Sequence, residues 1–183
     1  MSKLKQEIIN SIIKTEAGYV DNPNDSGGKT RWGITKAVAR ANGYKGKMRK
    51  LPKYTAYAIY AKQYWDALHL DDIELLSSRI AEEVADTSVN MGVSVAGRFL
   101  QRALNVLNRR GRDYHDLKVD GKVGRLTIKA LKAYLKKRGK AGETVLYRML
   151  NALQGERYVK LAERYEKNEE FEHGWFFHRV GMA

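Results

Sequence analysis

The chain has 183 residues, no cysteine and a formal net charge of +13. That length is enough for a real hydrophobic core. The lack of cysteine excludes disulfides, thiolate catalysis and thiolate metal sites. The charge points to anionic partners such as nucleic acid, anionic lipid or cell-wall polymers. No apolar run approaches the ~20 residues of a bilayer span. The N-terminal isoleucines are interrupted by polar residues, so no signal peptide is read there.

The first element is a helix. Leu4, Ile8, Ile9, Ile12 and Ile13 recur at helical spacing, Ser2 is its expected N-cap, and Gly18 its stop. Glu16 then falls in the last turn, at the negative end of the helix dipole, which favours a protonated carboxyl. Any apolar cover would favour it further, and a general acid for glycoside cleavage needs that property. Taken alone, a Glu at a helix end is more often an ordinary surface carboxylate, and the residues that follow shift that balance.

After Gly18, Tyr19-Val20 and the run Lys29–Ile34 flank a loop rich in Gly, Pro, Asn and Asp, which predicts a small irregular β-hairpin. Asp25 near its tip is either a turn former or a second carboxylate facing Glu16. Tyr19 and Trp32 offer flat faces to a sugar ring, or fill a small apolar cluster.

The stretch Glu16–Thr35, E-A-G-Y-V-D-N-P-N-D-S-G-G-K-T-R-W-G-I-T, resembles the signature of glycoside hydrolase family 108, roughly E-G-G-Y-x-x-x-P-x-D-x-G-G-x-T-x-x-G-I-T. The resemblance implies a peptidoglycan-cleaving N-acetylmuramidase of the phage endolysin type, with a mainly α, lysozyme-like fold. It places the catalytic Glu at Glu16 and the following Asp at Asp25, with the Gly-Gly pair and Thr at Gly27, Gly28 and Thr30. Ala17 replaces a common Gly, and Lys29 stands where many members carry Glu, so no carboxylate role is assigned there. T-even phage lysozymes show a related layout, Glu then Asp nine positions on. Thr30 falls one residue early for that pattern.

Further along, Thr35 caps a short helix ended by Gly43. Pro52 opens a helix carrying Tyr54, Tyr57, Tyr60, Tyr64 and Trp65, an aromatic stripe more characteristic of core than of a binding site. Asp71 and Asp72 suit a helix N-terminus. The pattern Ile73–Met91 predicts one helix with Leu76, Ile80, Val84 and Thr87 inward, and Glu82, Glu83 and Asp86 on a solvated face. Gly92 breaks it.

Small residues then suit a close-packed helix, Asn108–Leu117 an exposed connector, and Asp120-Gly121 a turn before a helix from about Arg125. The D-G-x-x-G-x-x-T element resembles that of peptidoglycan-binding-type modules, and the Gly174-Trp175 region resembles the end of the same family. A last long helix is expected over 143–168.

Residues 1–92 are thus expected as a catalytic lobe and 93–183 as a helical peptidoglycan-associated lobe packed on it, in a monomer. Gly28-Lys29-Thr30 is no P-loop, because Pro23 stands where that motif needs Gly. His69, His115, His173 and His178 have no metal-ligand spacing, so no metal and no cofactor is expected. The expected partners are peptidoglycan and other anionic envelope polymers, without specific nucleic-acid binding. The resemblance implies synthesis in the bacterial cytoplasm and release through a holin. The alternatives are a non-catalytic wall-binding or secretion-assisting protein and a basic nucleic-acid-binding helical protein.

Overall fold

The computed structural model describes residues 2–16, 18–20 and 29–180. Asp25, Gly27 and Gly28, named above, lie outside the described residues. The chain divides into two units, 1–66 and 67–183, and the fold is mainly α and lysozyme-like.

In the first unit, α1 (Lys3–Thr15) starts where the Ser2 hydroxyl accepts from the Lys5 N–H at 3.1 Å. Ile9, Ile12 and Ile13 are buried, each worth about 1.5–3 kcal/mol of transfer free energy; Leu4 and Ile8 are half-buried. The helix ends one residue before Glu16, which is its C-cap rather than part of the last turn. Three two-residue strands follow: β1 (Tyr19–Val20), β2 (Thr30–Arg31) and β3 (Ile34–Thr35). They form an antiparallel sheet in that order, with Tyr19 opposite Arg31 and Arg31 opposite Ile34. The expected hairpin is therefore extended by a third strand.

Thr35 caps α2 (Lys36–Ala41), its hydroxyl accepting from the Val38 N–H at 3.3 Å. Pro52 is the N-cap of α3 (Lys53–Tyr60). The backbone then loosens into a π-helical segment over Ala61–Trp65. The expected aromatic stripe is not one face: Tyr60 and Trp65 are buried, whereas Tyr54, six residues before Tyr60 and so about 120° away around the regular helix, is 75% exposed.

In the second unit, α4 (Leu70–Leu76) carries Asp71 and Asp72 in its first turn. The single helix expected over Ile73–Met91 is two. Ser77 adopts an extended conformation and its hydroxyl accepts from the Ile80 N–H at 3.1 Å, starting α5 (Ser78–Met91). Gly92, at φ 94°, separates α5 from α6 (Val93–Leu107). The helices on either side of Gly92 pack together within this unit, α5 against α6 and both against α7 (Arg125–Arg164).

The 108–124 connector is pinned rather than loose: Tyr114 donates to the Leu104 carbonyl at 2.7 Å, and Asn105 bonds the Leu117 N–H and carbonyl. The helices expected from about Arg125 and about Glu143 are the two parts of α7, divided at Gly139, where φ 57° and ψ −149° are not helical, so the second part begins a few residues before Glu143. The Tyr134 hydroxyl spans that interruption to the Gly142 carbonyl at 2.9 Å. A final helix, α8 (Glu169–Arg179), lays Trp175 on Tyr158 with ring centres 4.9 Å apart.

Candidate active site

The β2–β3 connection is only two residues long, Trp32 and Gly33, with φ of 55° and 71°. Two consecutive left-handed residues make a type I′ turn, whose twist matches a tight antiparallel hairpin. Gly adopts this at little cost, but Trp in that region costs about 1–2 kcal/mol, so its surroundings must hold it. They do. The Trp32 backbone N–H donates to the Gly18 carbonyl at 3.1 Å, its indole N–H donates to the Leu51 carbonyl at 3.0 Å, and its own carbonyl accepts from the Tyr60 hydroxyl at 2.9 Å. The Arg31 guanidinium lies 5.1 Å from the Trp32 ring centre.

This turn packs directly on Glu16. A Cβ built on Gly33 would lie 2.9 Å from the Glu16 Cβ, and would also collide with the Tyr60 hydroxyl. Only glycine admits the approach. Tyr60 is pushed up to about 12, first by burial, next by the Glu16 charge and then by Tyr64. Its phenol therefore stays protonated and keeps donating to Trp32. The Tyr60 and Tyr64 rings are 6.0 Å apart.

Glu16 itself is exposed. Its neighbours include Gly33 and Tyr60. Thr30 is half-buried in β2, between Val20 and Thr35. Tyr19 is half-buried in β1, with the Arg49 guanidinium 5.1 Å from its ring centre. The structure thus brings Glu16 and Trp32 together around Gly33 and Tyr60, and sets Tyr19 and Thr30 on the adjoining strands.

Gly33 and Tyr60 are the residues that sequence reasoning left unassigned. Gly33 between two short strand patterns supplies half of the type I′ signal, but Trp32 stands where Asn, Asp or Gly is usual, so the turn is not announced by its sequence. Tyr60 was hidden in the stripe of tyrosines.

The second unit holds one surprise. Glu83, read as part of a solvated face, is 5% exposed. It sits at inward spacing with Ile80, Val84 and Thr87, a register visible in the sequence. Burial pushes its carboxyl up to about 8, helped by Asp86 and Glu82 and opposed by a hydrogen bond from Asn151. Among the described residues its Oε1 has no hydrogen-bond partner, and the same holds for Asn151 Oδ1 and Gln154 Oε1 on α7. Gln154 donates to Asp86 at 2.8 Å across the same α5–α7 interface.

Residues 9–92 match the family model Glycosyl hydrolase 108, and residues 95–180 match the model Predicted Peptidoglycan domain. The first half of the chain is therefore a glycosyl hydrolase 108 region and the second a peptidoglycan-domain region. Together they make the protein a glycoside hydrolase acting on peptidoglycan. Among solved structures, SagA of Brucella abortus is 25% identical over 96% of this chain and 88% of that chain, with a TM-score of 0.61. No curated protein matches. The glycosyl hydrolase 108 region contains α1, the sheet and the Glu16 site, and it ends at the Gly92 junction. No helix among the described residues is long and apolar enough to cross a membrane.

Proposed function

We propose that the protein is an N-acetylmuramidase, hydrolysing the β-1,4 bond between N-acetylmuramic acid and N-acetylglucosamine. Glu16 is the general acid that protonates the leaving glycosidic oxygen. Asp25, assigned by the family resemblance, positions water or stabilises the oxocarbenium-like transition state. Thr30 holds that water, and Tyr19 and Trp32 contact the sugars. The observation that carries this reading is the packing of Glu16 against Gly33: a strained turn, braced by Tyr60, fixes the backbone next to an exposed carboxylate. Strain held by surrounding hydrogen bonds is characteristic of functional sites.

The same resemblance supports a bacteriolytic, endolysin role, with the protein made in the host cytoplasm and released through a holin. The net charge of +13 draws it to the anionic wall. Mass spectrometry of digested peptidoglycan is the test. N-acetylmuramic acid at the new reducing ends is expected, and N-acetylglucosamine there would sink the reading.

A further inference from the structure

A pocket of about 500 Å³ opens in the second unit between the 116–124 connector and the start of α7, inside the peptidoglycan domain. Three cations line it, Lys118, Lys122 and Arg125. All three are exposed, and Lys118 acts electrostatically on the neighbouring Asp120. The two acids of the lining are engaged: Asp120 accepts from the Lys122 N–H at 2.9 Å and from Gln101 at 3.1 Å, and Asp116 accepts from Asn108. Leu126 adds an apolar wall that is 73% exposed.

The floor is rigid. Gln101, buried on α6, also donates to the Lys122 carbonyl and accepts from the Gly121 N–H at 2.8 Å. A Cβ on Gly97 would meet the Gly121 carbonyl carbon at 2.7 Å, so the turn is seated directly on α6. α7 begins at Gly124 without a side-chain cap, and no acidic residue occupies its first turn.

This lining selects a particular chemistry. A polyanion such as a phosphate polymer or nucleic acid would meet two carboxylates as well as three cations. A short acidic peptide meets both signs: a free carboxylate faces the cations, amide N–H groups find the second oxygens of Asp116 and Asp120, whose hydrogen bonds just described all use Oδ1, and a small apolar side chain rests on Leu126. We infer that this pocket binds a free carboxylate of the peptidoglycan stem peptide, recognising the peptide while the first unit acts on the glycan. The inference rests on the reading of peptidoglycan as substrate.

Calorimetry on the full chain carrying Glu16→Gln, which keeps the ligand intact, tests it. The probes are a disaccharide–tetrapeptide with free carboxylates, the same molecule with its carboxylates amidated, and the peptide-free disaccharide. The free-acid probe is expected to bind at least tenfold tighter than the amidated one. Lys122→Ala with Arg125→Ala is expected to remove that difference without changing the melting temperature, since both side chains are exposed.

Equal binding of the free and amidated probes overturns the inference, as does unchanged preference in the double variant or stronger binding of a polyphosphate. The two readings fail separately. A wild-type protein that releases no reducing sugar yet discriminates the two peptides defeats the hydrolase reading alone. One that releases sugar without discriminating them defeats this inference alone.

Discussion

The Tyr60 hydroxyl donates to the Trp32 backbone carbonyl at 2.9 Å, tying the end of α3 to the tight turn beside Glu16. A residue 28 positions away along the chain thereby holds a non-glycine residue in a left-handed conformation. Tyr60→Phe keeps the ring but leaves that carbonyl without its donor. The expected loss is about 1–2 kcal/mol of stability, with a fall in hydrolysis larger than the stability change explains. Chemical denaturation and a turbidity assay on peptidoglycan, run at a temperature where the variant stays folded, measure the two. Wild-type activity in this variant would dissociate the turn from catalysis.

Gly33→Ala places a methyl group against Glu16 and Tyr60 and imposes positive φ on alanine. Such strain costs on the order of 1–3 kcal/mol. A lowered melting temperature and impaired lysis are expected together. An unchanged melting temperature would show that the turn relaxes without cost.

Under the proposed mechanism Glu16→Gln removes the proton donor, and it leaves the α1 cap intact, because the cap uses the backbone N–H of residue 16. Loss of a general acid lowers the rate roughly 10²- to 10⁴-fold. Reducing-sugar release measures it, with circular dichroism expected to be unchanged. Wild-type rates would remove Glu16 from the mechanism.

Glu83 gives the second unit a pH dependence of definite sign. Its ordinary value near 4.5 rises to about 8 in the fold, so the folded state holds this proton more tightly. The resulting stabilisation is fully present below about 4.5 and is lost as pH rises through about 8. The change is on the order of a few kcal/mol. Glu83→Gln stays neutral throughout, so its melting temperature should fall less than that of the wild type between pH 4 and pH 9 on that scale. Parallel melting curves for the two proteins would show that Glu83 ionises as freely in the fold as out of it.

The net charge of +13 makes wall attraction sensitive to ionic strength. The screening length shrinks from about 10 Å at 0.1 M salt to about 3 Å at 1 M. Lysis of whole peptidoglycan should fall across that range, whereas hydrolysis of a short, uncharged oligosaccharide should not. Equal salt sensitivity for both substrates would place the effect at the site itself.

Elements governed by local chemistry were legible in the sequence. The isoleucine spacing of α1, the Thr35 cap, the acidic start of α4, the Gly92 break and the Asp120-Gly121 turn all depend on neighbours within a few residues. The misses have a different origin. Leu76 and Ile80 keep helical spacing across Ser77, so the periodicity concealed a break made by one hydroxyl and one extended residue. Glu83 carries a charge, and charge outweighed its inward register in the reading. The π-helical segment after Tyr60 and the Gly139 interruption leave no mark in hydrophobic period. At the site, Glu16 and Trp32 were readable from the motif, but their shared neighbours, Gly33 and Tyr60, depend on contacts that close only when the sheet meets α3.

The Gly92 junction has a consequence for modularity. A border between two sequence families usually invites cutting and recombination, as though the pieces were interchangeable cassettes. Here α5 lies before the border, yet it packs against α6 and α7 beyond it as well as against α4 before it. A fragment ending at residue 92 would bare the part of α5 that α6 and α7 cover. The two family regions have to be inherited, exchanged and engineered as one piece.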